Sequence, residues 1–272
     1  MTGRELRLAG LLAVGLLAAT VVAPMTVDAR PAFEIPVHYA TDGDSLDRVD
    51  GEEWGRAPPV TVPMSSAGAA VPSADNTTVE QIQVSAARTD DRLYLQVEWA
   101  DPTNDTSAAS VREFADAVAV QLPTDPAERP PIAMGGTDNT VNVWYWSGSG
   151  QTQELLAGGP GSTTQFRNGT VATNYTHTDG RWEVVFSRSL SAPGENRTTV
   201  PSDRDVDVAF AAWNGSNMER SGQKSTSQWY YLALGPGPEG PPYEAILWAI
   251  AGIGIVVTTL VTVQGVRRTG GD

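Results

Sequence analysis

Lys224 is the one lysine in a chain of 272 residues; the rest of its 18 basic residues are arginines. An amine buried away from water can lose its proton and offer a lone pair, which a guanidinium cannot do. A lysine kept in so lysine-poor a chain is therefore a candidate ligand, although it is equally the residue that drift would leave. The second candidate is Met134, in Pro130-Pro131-Ile132-Ala133-Met134-Gly135-Gly136, where Gly135 and Gly136 let backbone come close to something flat. Most methionines fill gaps in cores, and that reading stays open for Met134. A thioether and a neutral amine facing each other across a flat apolar slot would form an axial ligand pair for haem iron, with methionine raising the potential. Aromatic residues that could line such a slot stand in Val141-Asn142-Val143-Trp144-Tyr145-Trp146, in Ala212-Trp213-Asn214-Gly215 and in Gln228-Trp229-Tyr230-Tyr231. Trp144 and Trp213 are the candidates for packing on a porphyrin, with ordinary core as the other reading.

Other chemistries find little support. The chain has no cysteine, which excludes disulfides, thiolate zinc sites and iron–sulfur ligation. Its two histidines, His38 and His177, leave no recognisable serine–histidine–acid arrangement and no multi-histidine metal site. No glycine-rich phosphate loop has the required context. With 32 acidic residues, 18 basic ones and a net charge of −14, nucleic acid is not an expected partner. The charge suits a protein kept soluble in high salt.

The elements that must position these residues have the period of strands. Residues 79–87 and 93–99 alternate on either side of the turn-like Thr89-Asp90-Asp91 and predict a hairpin. Further strands are expected at 117–122, 141–146, 182–186, 206–213 and 228–234, with Trp144 and Trp146 on one face. No part of the body shows a long helical period. The expected fold is all-β, an antiparallel β-sandwich. Residues 49–57 read as an opening strand and turn whose Trp54 caps one end of the core. Residues 64–78 read as a mobile surface loop.

The ends suggest export and anchoring. Residues 1–29 combine Arg4, Arg7 and an apolar run at 8–22, the layout of a signal segment. The body is 30–234. A stiff Gly/Pro stalk, 235–242, leads to a transmembrane helix at 243–264, whose uncharged run at 245–263 is followed by Arg267 and Arg268 in a short tail, 265–272. The two arginines place the C-terminus in the cytoplasm and the body outside the cell membrane. Asn-x-Ser/Thr triplets at Asn76, Asn104, Asn168, Asn174, Asn196 and Asn214 agree with that placement.

Several blocks in order carry a family resemblance. They are Phe114-Ala115-Asp116-Ala117-Val118-Ala119-Val120-Gln121-Leu122-Pro123, Met134-Gly135-Gly136 with 141–144, Arg181-Trp182-Glu183-Val184-Val185-Phe186-Ser187-Arg188, and 208–215 with Lys224-Ser225 and Trp229-Tyr230-Tyr231-Leu232. Over about residues 45 to 234 the chain resembles the haem b-binding γ subunit of type II dimethyl sulfoxide reductase-family molybdoenzymes. Those complexes include ethylbenzene dehydrogenase, dimethyl sulfide dehydrogenase, selenate reductase and chlorate reductase. The resemblance implies a β-sandwich holding one haem b between Met134 and Lys224, with Gly135 at the site. It also implies a molybdopterin α subunit and an iron–sulfur β subunit as partners. A C-terminal membrane anchor departs from that family's soluble subunits. The chain also resembles carbohydrate-binding modules related to family 9, in which case Trp54, Trp99, Trp146 and Trp229 would form a sugar platform and no haem would bind. An adhesive surface component without a ligand is a third reading.

Overall fold

The computed structural model describes residues 32–235 and Gly254. The chain forms two compact units, Met1–Glu34 and Ile35–Asp272, and the architecture below is that of the second. The leader at 1–29, the apolar segment at 243–264 apart from Gly254, and the tail at 265–272 lie outside the described residues. So does the stalk at 235–242 apart from Gly235. Among the described residues no helix is long and apolar enough to cross a membrane.

The body is all-β. Its strands are β1 (Glu34–Tyr39), β2 (Val60–Pro63), β3 (Ser65–Ser66), β4 (Gln81–Arg88), β5 (Arg92–Ala100), β6 (Ala117–Pro123) and β7 (Val141–Ser147). They continue with β8 (Gln151–Ala157), β9 (Thr163–Gln165), β10 (Ala172–Thr178), β11 (Arg181–Ser189), β12 (Val206–Trp213), β13 (Ser225–Thr226) and β14 (Tyr230–Ala233). A 3-10 helix, Glu52–Arg56, interrupts them. The hairpin expected from alternation is β4–β5, with Gln83 opposite Glu98 and Arg88 opposite Leu93.

The strands hydrogen-bond in one sheet along the path β10-β11-β5-β4-β1-β14-β12-β6-β7-β8-β9. That sheet curls on itself. Trp99 of β5 and Trp182 of β11 sit opposite each other on neighbouring strands, whereas Trp146 of β7 is far along the path, yet its ring centre lies 6.4 Å from that of Trp99 and 4.9 Å from that of Trp182. The enclosed face carries the main core, including Val84, Leu95, Phe186, Val120, Trp144 and Phe210. Two particulars differ from the antiparallel sandwich expected. β1 pairs with β4 in parallel, Val37 opposite Ala86, and the facing halves belong to one continuous hydrogen-bonded path.

The outer face of each half carries its own apolar cluster. On the β4–β5–β11 half, Leu46, Trp54 and Ala57 cover Ala87, Tyr94 and Val185. Trp54 therefore covers an outer face instead of capping the core, and its indole nitrogen donates to the Arg48 carbonyl at 2.9 Å. On the other half, Ala119, Val141, Val143 and Ala157 form a buried floor on β6, β7 and the end of β8. The segment read as a mobile loop, 64–78, is tied down there. β3 within it pairs with β13, Ser66 opposite Ser225, and Ala67 N–H donates to the Lys224 carbonyl at 3.0 Å.

Candidate cofactor site

The two candidate donors converge on this second outer face. The Lys224 Nζ lies 3.5 Å from the Met134 Sδ, although the residues are ninety positions apart in sequence. Register brings Lys224 there. β12 and β13 pair with Ala211 opposite Thr226 and Ala212 opposite Ser225, so the next step along the ladder sets Lys224 beside Trp213. Its amine stands 5.2 Å from the Trp213 ring centre. Met134 arrives from the loop between β6 and β7 in a left-handed backbone conformation, φ 65°. That conformation is costly for a residue with a Cβ. It is pinned by hydrogen bonds, Met134 N–H to the Ile132 carbonyl at 2.8 Å and Gly159 N–H to the Met134 carbonyl at 2.9 Å.

Gly135 continues the turn at φ 74°. A Cβ there would meet the Asn139 carbonyl oxygen at 2.7 Å. Gly135→Ala therefore adds a left-handed alanine and a backbone clash, and is expected to cost about 1–3 kcal/mol. Urea unfolding of the apo chain checks this, with an unchanged midpoint as the contrary result.

Around the donors lie half-buried Tyr145, Leu155, Ala211, Trp213 and Trp229, packed with Met134 on the floor of Ala119, Val141, Val143 and Ala157. The Tyr145 and Trp213 rings meet edge to face at 5.7 Å. This is a contiguous apolar surface that the described chain only partly covers, the kind of surface that marks a binding site. Its polar features are few. Burial lowers the Lys224 amine from 10.5 to about 8, because charge is disfavoured away from water. Lys224 is a buried residue, 9% exposed. A lowered amine loses its proton readily to a metal, so the pair supplies one soft sulfur and one nitrogen lone pair. The Lys224–Met134 hydrogen bond must break before either atom can bind a metal.

Met134, Gly135, Trp213 and Lys224 are brought together; Trp144 is not. Successive β7 residues point to opposite faces, and Asn142, Trp144 and Trp146 take the enclosed one. Trp144 is fully buried in the main core, with the Arg188 guanidinium 4.9 Å from its ring centre. Tyr145, one of that segment's three aromatics, takes the outer face but was passed over in favour of Trp144. Leu155 on β8 was missed, its strand being signalled only by the Gly148-Ser149-Gly150 turn before it. The four tryptophans proposed as a sugar platform do not share a surface. Trp99 and Trp146 are in the main core, Trp54 is in the second cluster, and Trp229 packs on the third.

The family model described as ethylbenzene dehydrogenase matches residues 52–176 and 159–225. A protein named as a respiratory nitrate reductase heme subunit, from Haloferax mediterranei, is 52% identical over 253 residues, 93% of this chain and 92% of its own. The dimethylsulfide dehydrogenase subunit gamma of Rhodovulum sulfidophilum is 31% identical over 229 residues, 78% of this chain and 83% of its own. Among solved structures, a carbohydrate binding module family 9 from Caldicellulosiruptor kristjanssonii in complex with glucose superposes with a TM-score of 0.42. It is 11% identical and covers 77% of this chain and 99% of that one.

Proposed function

The chain belongs to the ethylbenzene dehydrogenase family, and from that premise we propose that Met134 and Lys224 hold the iron of a haem b. The protein is the haem-carrying electron-transfer subunit of a multi-subunit oxidoreductase, as its relatives' names imply, and the resemblance to type II dimethyl sulfoxide reductase-family subunits makes that oxidoreductase a molybdoenzyme. The observation that carries the ligand assignment is the 3.5 Å approach of the Lys224 amine to the Met134 sulfur on an apolar floor.

Bound haem supplies a one-electron carrier whose potential the axial ligands set. Met134 contributes a soft sulfur that favours the reduced ion. Lys224 contributes an amine that desolvation has already brought part of the way to neutrality. Tyr145, Leu155, Trp213 and Trp229 keep water from the donors. With Met134 and Lys224 both holding the iron, this subunit would pass electrons and would not bind substrate at the metal. Substrate chemistry therefore falls to a molybdopterin α subunit, and an iron–sulfur β subunit exchanges electrons with this one. The two facing halves of the curled sheet act as the layers of a haem-bearing sandwich. The body stands outside the cell membrane, exported by the 1–29 segment and anchored by a helix at 243–264. The charge-free run at 245–263 and the arginines after it support that placement.

The experiment is spectral. Full-length chain purified in high salt is expected to take up haem b as a six-coordinate, low-spin species. Folded chain that takes up none ends the assignment.

A further inference from the structure

Outside the donor pair, a tightly held ionisable group is Asp116, the residue before β6. It is fully buried and accepts three N–H donors from three segments. Its Oδ2 takes the Asp105 backbone N–H at 2.8 Å and the Trp182 indole N–H at 2.9 Å. Its Oδ1 takes the Gly215 backbone N–H at 2.8 Å. Gly215 opens the loop that ends at Lys224, and it is seated so tightly that a Cβ would fall 1.9 Å from the Phe114 carbonyl oxygen. A second buried carboxylate, Glu219, holds the same loop. It accepts the Asn214 N–H at 3.0 Å and the Thr78 N–H at 2.9 Å.

We propose that Asp116 is a proton-operated latch on the loop that positions Lys224. A proton added to Asp116 must sit on one of its oxygens. On Oδ2 it would oppose two donors, and on Oδ1 only one. The proton therefore settles on Oδ1, where it removes the anionic acceptor facing Gly215 and weakens that hydrogen bond. The loop's first tether is then loosened while the Trp182 and Asp105 contacts persist.

Burial pushes the Asp116 carboxyl up to about 6, against the lowering by its three N–H donors, with the Asp101 charge adding to the rise. The neighbouring charged and titratable groups are few. Asp101 and Asp105 follow β5, and His177 on β10 bonds the Asp101 carbonyl at 2.9 Å and packs on Trp182. Arg220 lies over the Phe114 ring at 4.7 Å, and Glu219 faces Asn214 and Thr78. Arg181 and Glu183 flank Trp182 and by alternation take the opposite face. Because the folded-state value is raised, the folded protein binds more protons than the unfolded chain between about 3.8 and 6. This group's contribution to global stability therefore grows as pH falls through that window. Protonation of Asp116 loosens the latch while this group's own contribution to the fold grows, so the local opening it causes is distinct from global unfolding.

The latch itself is a property of the apo chain; its effect on the iron rests on the haem assignment. The test is hydrogen exchange of segment 214–223 in the full-length protein, corrected for intrinsic rates. For a group titrating near 6, the neutral fraction rises from about a tenth at pH 7 to about nine-tenths at pH 5, so exchange should quicken roughly tenfold. Asp116→Asn should remove the pH dependence. Asp101→Asn, which removes a neighbouring negative charge, should move the midpoint to lower pH and serves if the first variant does not fold. In haem-loaded protein the low-spin fraction should fall over the same range and be flat in Asp116→Asn. Exchange without a break between pH 5 and 7, or a break unchanged in Asp101→Asn, overturns the latch. If exchange behaves as expected but no haem spectrum exists to follow it, the latch stands and the haem assignment fails.

Discussion

Lys224→Arg is expected to leave the β fold intact and to abolish the six-coordinate, low-spin haem spectrum. The substitution keeps a flexible cationic side chain, somewhat longer and with a planar head, and removes the capacity to present a nitrogen lone pair. If Lys224 acted as a surface cation or a cation–π partner of Trp213, arginine would serve as well. As an iron ligand it has no arginine substitute, and haem affinity should fall by more than the roughly 10- to 100-fold seen when only the partners of metal ligands are changed. Circular dichroism and haem titration of the same sample separate loss of ligand from loss of fold. A full low-spin spectrum in Lys224→Arg would remove Lys224 from the site. Apo-protein stability supplies a second reading. The folded-state value of Lys224 is lowered from 10.5 to about 8, so between these limits the unfolded chain holds more protons than the folded one. Stability should therefore rise with pH from about 8 to 10.5, and Lys224→Met should flatten that rise.

What sequence could and could not reveal follows from where each residue draws its signal. The β4–β5 hairpin was legible because both segments place apolar residues at alternate positions and a polar turn separates them, although their central residues are buried on both faces. The two residues that the fold brings to 3.5 Å were each singled out in the sequence, Lys224 as the chain's one lysine and Met134 beside its paired glycines. β10, Ala-Thr-Asn-Tyr-Thr-His-Thr, was not: it lies at one end of the strand path with most side chains exposed or half-exposed, so it lacks the apolar alternation that marks a strand. The error over Trp144 has the same root. Period two fixes which residues share a face, but not which face looks toward Met134, and that depends on how the sheet curls. Segment 64–78 reads as loose because its composition is loop-like. Its order comes from β13 and Lys224, more than a hundred residues away, which no local pattern encodes.

Behind the site's floor lies a buried charge network whose disruption should be the most destabilising change in the body. Arg188 and Glu154 are each 1% exposed. Arg188 donates to Asn142 Oδ1 at 2.8 Å and to the Thr198 carbonyl, and approaches Glu154 Oε1 at 3.4 Å. Glu154 also accepts from Thr170 N–H at 2.9 Å and Arg197 Nε at 3.1 Å. Burial pushes the Glu154 carboxyl up, but the Thr170 N–H, Arg197, the Thr170 hydroxyl and Arg188 together outweigh it and hold it below 4.5. Glu154→Ala would strand Arg188 without its carboxylate, a change that costs about 3–5 kcal/mol. Arg188→Met, which removes the charge yet keeps bulk, should cost less. Since Glu154 is lowered, its contribution is present above about 4.5 and lost as pH falls through the folded-state value, so the gap between wild type and Glu154→Ala should close in acid. Denaturant melts across pH check both statements, and equal midpoints for wild type and Glu154→Ala at neutral pH would refute them. The consequence reaches the site because the strands are shared. Asn142 and Glu154 project inward from β7 and β8, while Val143, Tyr145 and Leu155 project outward from the same two strands. Disrupting the charge network should therefore disturb the apolar floor beneath Met134 and Lys224, and Glu154→Ala should release haem at a temperature well below that of the unaltered protein.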